Sequence, residues 1–201
     1  QPLRNPVQDA RAMAESLRAL GFEVIKRENL GLGQMERVIR EFGDQLKERK
    51  GVGLFYYAGH GVQVEGENYL IPVGARLERE DEVKDQAVNA GLVLRKMESA
   101  RNGTNIVILD ACRDNPFRSY WRSERKGLAT MDAPTGTFIS YSTAPGRVAG
   151  DGAGKNGVYT GYLLREMRTA GAPIEQVFKK VREQVAEKTG GKQVPWEATS
   201  L

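Results

Sequence analysis

The chain has 201 residues, is 40% apolar and 28% charged, and sets 30 Lys and Arg against 26 Asp and Glu. That is the composition of one folded domain, not of a disordered chain. A net charge of +4 without a basic stripe gives no expectation of nucleic acid, and no apolar run approaches the roughly 18 residues of a membrane span. One Cys and one His exclude a disulfide framework, multi-cysteine zinc sites and multi-His cages, so no metal ligands are expected.

The elements follow in chain order. Asn5 as N-cap and Pro6 at the first helical position open a helix carrying Val7, Ala10, Ala14, Leu17 and Leu20 on one face, stopped by Gly21. Phe22 to Ile25 reads as a short strand. A second helix spans about Gly33 to Lys50. Val52 to Ala58 is almost wholly apolar, the signature of a strand covered on both faces, and it ends at Gly59-His60-Gly61. A shorter strand is expected over Asn68 to Val73, a charged surface loop over Glu78 to Asp85, and a helix over Asn89 to Arg101.

Asn105 to Leu109 is a second fully apolar strand, ending at Asp110-Ala111-Cys112. Arg113 to Pro134 lacks periodicity and reads as a long exposed loop. A third strand spans Gly136 to Thr143, then a Gly-rich loop runs from Ala144 to Gly157. Helices follow over Tyr159 to Thr169 and from Pro173 to Gly190-Gly191, with a last short strand over Gln193 to Trp196. Alternating strands and helices predict an α/β fold with a mostly parallel sheet, whose ligands bind beyond the carboxyl ends of the strands.

The lone His and the lone Cys both fall immediately past such strand ends. A thiol needs a base to become an attacking thiolate, and His60 can supply it to Cys112. The N–H groups of Gly61 and Cys112 are the candidate oxyanion donors. Either residue by itself reads more simply as a packed Cys or a surface His; their matched positions favour catalysis.

Tyr57-Ala-Gly-His60-Gly61 and Leu109-Asp-Ala-Cys112-Arg113 resemble the caspase and metacaspase clan of cysteine peptidases. The 52-residue His-to-Cys spacing agrees with the roughly 50 of caspases. Phe138 to Gly146 resembles the small-subunit strand, and the likeness runs from Asn5 to Trp196, nearest to prokaryotic caspase homologues (orthocaspases). It implies a three-layer α/β/α sandwich over 1–201. Within it, 1–117 would be large-subunit-like, 118–134 a linker loop and 135–201 small-subunit-like. It also implies a cysteine endopeptidase with protein or peptide substrates, working through a His60–Cys112 dyad and requiring no cofactor.

Family members place a hydrophobic core strand ahead of the segment that begins this chain. The sequence starts at Gln1 without such a strand: either the chain was cut after it or the strand lies outside this sequence, and a separate N-terminal fragment is expected to fill its slot unless the fold is compromised. The resemblance leaves monomer and dimer both open. A single Cys favours a cytoplasmic setting, with secretion or a periplasmic location still open.

Specificity follows from charge. Asp110 matches the acid with which metacaspases hold a basic P1 residue, beside the plainer reading of a structural carboxylate capping a nearby turn or helix, and Asp151 falls where caspases carry an Arg for acidic P1. Acids at the pocket favour Arg, then Lys, and repel Asp. Asp9 reads more simply as a carboxylate of its own helix's first turn. Arg118, Arg122, Arg125 and Lys126 are candidate self-cleavage positions, beside the plainer reading of a solvated basic loop. The acidic stretch Glu78, Glu80, Asp81, Glu82 and Asp85 lacks the spacing of a calcium loop and reads as a solvated face; calcium activation has no sequence support. The rival to an enzyme is a catalytically silent caspase-like module for binding or scaffolding.

Overall fold

A computed structural model describes residues 3–111, 127–145, 147 and 154–201. Two helices come first, α1 (Pro6–Ala19) and α2 (Leu32–Arg49). They lead into β1 (Val52–Ala58) and a hairpin of β2 (Gly61–Val64) and β3 (Glu67–Leu70). A 3₁₀ turn (Glu80–Glu82), the short α3 (Val83–Gln86) and β4 (Val88–Asn89) connect to α4 (Gly91–Ala100) and β5 (Thr104–Asp110). The chain ends with β6 (Thr137–Tyr141), α5 (Val158–Glu166), α6 (Ile174–Lys188) and β7 (Trp196–Thr199).

The main sheet has the order β1-β5-β6-β7. β1, β5 and β6 are parallel and β7 is antiparallel. Alternation across the pleat sorts the side chains into two cores. Phe55, Tyr57, Val107, Leu109, Ile139 and Tyr141 face α2 and α4. Leu54, Tyr56, Ile106, Ile108 and Phe138 face α1, α5 and α6. This is the expected three-layer α/β/α sandwich. Burying each large apolar side chain contributes about 1.5–3 kcal/mol, so two cores sustain the sheet without cross-links. The hairpin and β4 form a second, antiparallel sheet over its own cluster of Val62, Val64, Tyr69, Leu77 and Val83.

Several elements differ from their sequence reading. Phe22 to Ile25 enters no ladder. Phe22 and Val24 pack into the core, but the segment lies across a cavity of about 1150 Å³ from Leu54 and Tyr56 rather than against β1. Glu28 pins it to α1 instead, accepting two bonds from the Arg11 guanidinium at 2.9 Å each and a third from Lys26. Among the described residues β1 pairs only with β5, so its other edge faces that cavity. The charged stretch over Glu78 to Asp85 is partly helical: Glu82 accepts from the backbone N–H groups of Glu78 and Arg79, closing the turn. The last strand begins where Gln193 to Trp196 was expected to end. Gln193 is instead buried, its amide donating to the Ser142 carbonyl at 2.8 Å.

Candidate functional site

The site is built by register. β1 and β5 run in phase from Val52↔Thr104 to Ala58↔Asp110, so the two apolar strands end together. One more bond continues the ladder past both ends, from the Gly59 N–H to the Asp110 carbonyl at 3.2 Å. His60 then sits in the turn between β1 and β2, partly exposed. Its carbonyl accepts from the Ile71 N–H at 3.0 Å and from the Tyr57 hydroxyl at 2.9 Å. Tyr57 also donates toward the Ile71 carbonyl at 3.1 Å, and so ties the turn to the chain leaving β3. A Cβ on Gly59 would lie 2.5 Å from that hydroxyl, so a larger residue here would displace Tyr57 from these carbonyls.

Gly61 opens β2 and is buried against the end of β5. A Cβ on it would lie 2.9 Å from the Ala111 carbonyl oxygen and 3.1 Å from Leu128. Ala111 is fully buried and is the last described residue before Cys112. Cys112 itself lies outside the described residues, as do Asp151, Arg118, Arg122, Arg125 and Lys126. From Gly127 on, the β2–β3 hairpin holds the chain. The Asn68 side chain accepts from the Ala129 N–H and donates to the Ala129 carbonyl, both at 2.7 Å.

Asp110 ends β5, and its side chain is buried. One carboxylate oxygen, Oδ2, accepts from the Thr160 hydroxyl at 2.7 Å. Thr160 Oγ1 lies 2.7 Å from the Tyr56 hydroxyl. No Lys or Arg among the described residues pairs with Asp110. A buried carboxylate without a cation is costly unless something else compensates it.

Asp9 is a second buried carboxylate, and the sequence reading missed its role. It stands in the first turn of α1, but its side chain serves another helix. Its Oδ1 accepts from the Gly157 N–H at 3.0 Å and from the Asn156 amide at 2.9 Å, at the start of α5. Negative charge there is favoured by the unpaired N–H groups and dipole of α5. Burial raises the Tyr56 phenol well above its ordinary pKa, and the charges of Asp110 and Asp9 push it further the same way. Both carboxylates are therefore within electrostatic reach of one hydroxyl. Among the described residues no cluster of three or more His, Cys, Asp or Glu is placed to hold a metal ion. No described helix is long and apolar enough to cross a membrane.

A search by family finds the caspase domain over residues 1–201. The chain belongs to the caspase domain family. Members of this family are cysteine peptidases, and the parallel β1–β5 pair ending at Ala58 and Asp110, just before His60 and Ala111, agrees with a caspase-like fold. Among curated proteins, the caspase domain described here is 33% identical over 148 residues to the human Mucosa-associated lymphoid tissue lymphoma translocation protein 1. That match covers 73% of this chain and 17% of that protein. Mouse Caspase-12 is 30% identical over 137 residues, covering 68% of this chain and 32% of that protein. The chain thus spans less than a third of the length of these relatives, and what the whole proteins do does not transfer with the domain.

Proposed function

We propose that this caspase domain is a cysteine endopeptidase that cleaves after basic residues, Arg before Lys. The observation that carries the peptidase reading is the contact of Gly61 with Ala111. It joins the turn bearing His60 to the residue that Cys112 follows in the chain. In this reading Cys112 attacks the scissile carbonyl as a thiolate and His60 takes the thiol proton. The N–H groups of Gly61 and Cys112 receive the oxyanion. His60 then returns the proton to the leaving amine, and water, activated by the same imidazole, hydrolyses the thioester and frees Cys112.

Preference for a basic residue rests on Asp110. It is buried at the same sheet edge and lacks a cation among the described residues. A guanidinium supplies the missing charge and two parallel N–H donors. Asp9 adds a second negative charge to the same region. Asp151 is proposed for the pocket from its sequence position alone. Self-cleavage at Arg118, Arg122, Arg125 or Lys126 follows from the same specificity. It would divide 1–117 from 135–201, two parts that share one sheet through β5 and β6. Asn68 would keep the returning segment docked after such a cut.

A further part of the proposal concerns the cavity beside β1. An extended apolar segment fits there as a strand between β1 and the Phe22–Glu28 stretch, with α1 above and α2 below.

The experiment uses fluorogenic peptides ending in Arg, Lys or Asp at P1, tested beside Cys112→Ala and His60→Ala. Turnover of the Arg and Lys peptides that both substitutions abolish is expected. Absence of Cys112-dependent turnover on any peptide overturns the peptidase reading. Turnover of the Asp peptide alone overturns the specificity.

A further inference from the structure

Thr160 has one hydroxyl proton and two polar neighbours. Asp110 as a carboxylate can only accept, so the Thr160 proton goes to Asp110 Oδ2 at 2.7 Å. Thr160 Oγ1 must then accept from Tyr56, whose hydroxyl lies 2.7 Å away. The direction of both bonds is fixed, running from Tyr56 through Thr160 to Asp110. Thr160 is fully buried and Asp110 nearly so, so water does not compete for the Thr160 link. The phenol's raised pKa keeps its proton in place well beyond neutral pH.

The relay joins three elements: Tyr56 on β1, Asp110 on β5 and Thr160 on α5. α5 is itself seated at its N-terminus by Asp9. One Asp110 oxygen is thereby held by protein, which restrains rotation of the carboxylate plane. We propose that Thr160, backed by Tyr56, is a positioning residue for substrate specificity, orienting Asp110 so that a guanidinium is preferred over an ammonium. This rests on the reading of Asp110 as the basic-residue pocket. A bidentate guanidinium requires a carboxylate in one fixed plane, whereas a lysine ammonium is a point charge that tolerates rotation. Losing the relay therefore harms Arg more than Lys.

The test is steady-state kinetics on matched Arg and Lys peptides with Thr160→Val, Thr160→Ser and Tyr56→Phe, with thermal unfolding measured in parallel. Thr160→Val keeps the shape and removes the hydroxyl. It is expected to raise KM for the Arg peptide about tenfold with kcat little changed. The Lys peptide should change only about twofold, so the Arg-over-Lys preference falls. Thr160→Ser should restore the preference, and Tyr56→Phe should lower it by a smaller factor. Equal losses on both peptides, or a lower Tm with the preference intact, overturn the proposal. Should Thr160→Val fail to fold, Tyr56→Phe decides: an unchanged preference overturns it. A parent protein that turns over neither peptide overturns the pocket reading first, and this proposal with it.

Discussion

Gly61 lies against Ala111 so closely that a Cβ would come within 2.9 Å of the Ala111 carbonyl oxygen. The obstacle is backbone at the end of a central strand, so it cannot rotate away. Leu128 closes the other side at 3.1 Å. Gly61→Ala must part the His60 turn from β5. It is expected to cost about 1–3 kcal/mol by overpacking, read as a lower urea midpoint. A displacement of about 1 Å between reacting groups costs about a hundredfold in rate. The kcat/KM of the remaining folded protein should thus fall by more than the stability loss explains. Unchanged kinetics in a folded variant would show that this contact does not position the proposed His60–Cys112 dyad.

Asp9 joins residues 148 positions apart in the chain. Asp9→Ala leaves the Gly157 N–H and the Asn156 amide without this acceptor in a buried place. A loss of about 1–3 kcal/mol is expected for leaving buried donors unpaired. If Asp9 also contributes charge to the pocket, Asp9→Asn should weaken Arg substrates while keeping much of the stability, since the Asn carbonyl still accepts. Chemical denaturation and KM for the Arg peptide separate the two roles. Equal KM in Asp9→Asn and the parent would leave Asp9 purely structural.

Glu28 holds the Phe22–Glu28 stretch to α1 through Arg11 and Lys26. Those two cations lower its carboxyl from 4.5 to about 2, and Arg11 is raised in return. Because the folded value lies below the unfolded one, the unfolded chain binds the extra proton first as pH falls. The contribution is therefore complete above about pH 4.5 and is lost between there and about pH 2. Unfolding followed across that window should show a steeper acid loss in the parent than in Glu28→Gln. Both cations are partly exposed, so 1 M salt should shrink the difference. Identical acid limbs would remove Glu28 as a clamp.

Much of the site's position is legible in the sequence because two apolar runs, Val52 to Ala58 and Asn105 to Leu109, read as strands and form β1 and β5, although β1 is only half-buried beside the cavity. His60 and Asp110 sit at their ends by chain position alone. The hairpin strand β2 is not legible: Gly61-Val-Gln-Val64 is four residues long and begins on the glycine that reads as a turn. The first predicted strand has the right composition, yet a strand exists only with a neighbour. Phe22 to Ile25 faces a cavity where that neighbour would lie. The relay and the Asp9 contact are invisible for a different reason. Tyr56 and Thr160 are 104 residues apart, and no local period links them.

The cavity gives the last prediction. β1 is parallel to β5, so about half of its amides point away from β5, toward the cavity. An extended apolar peptide added in trans should pair with that edge and lay its side chains against Leu54 and Tyr56 on one face and Phe55 and Tyr57 on the other. Hydrogen exchange is expected to show partial protection across β1 in the chain alone and full protection with peptide, together with a higher Tm. A peptide of the same composition carrying a central Pro, which removes a ladder donor, should protect less. Introducing Lys at Leu54 should abolish the effect by placing a charge in the slot. If protection rises equally with the Pro peptide, or persists in Leu54→Lys, binding is not strand addition at β1, and Phe22 to Ile25 is then a coil in its own right rather than half of an interrupted sheet.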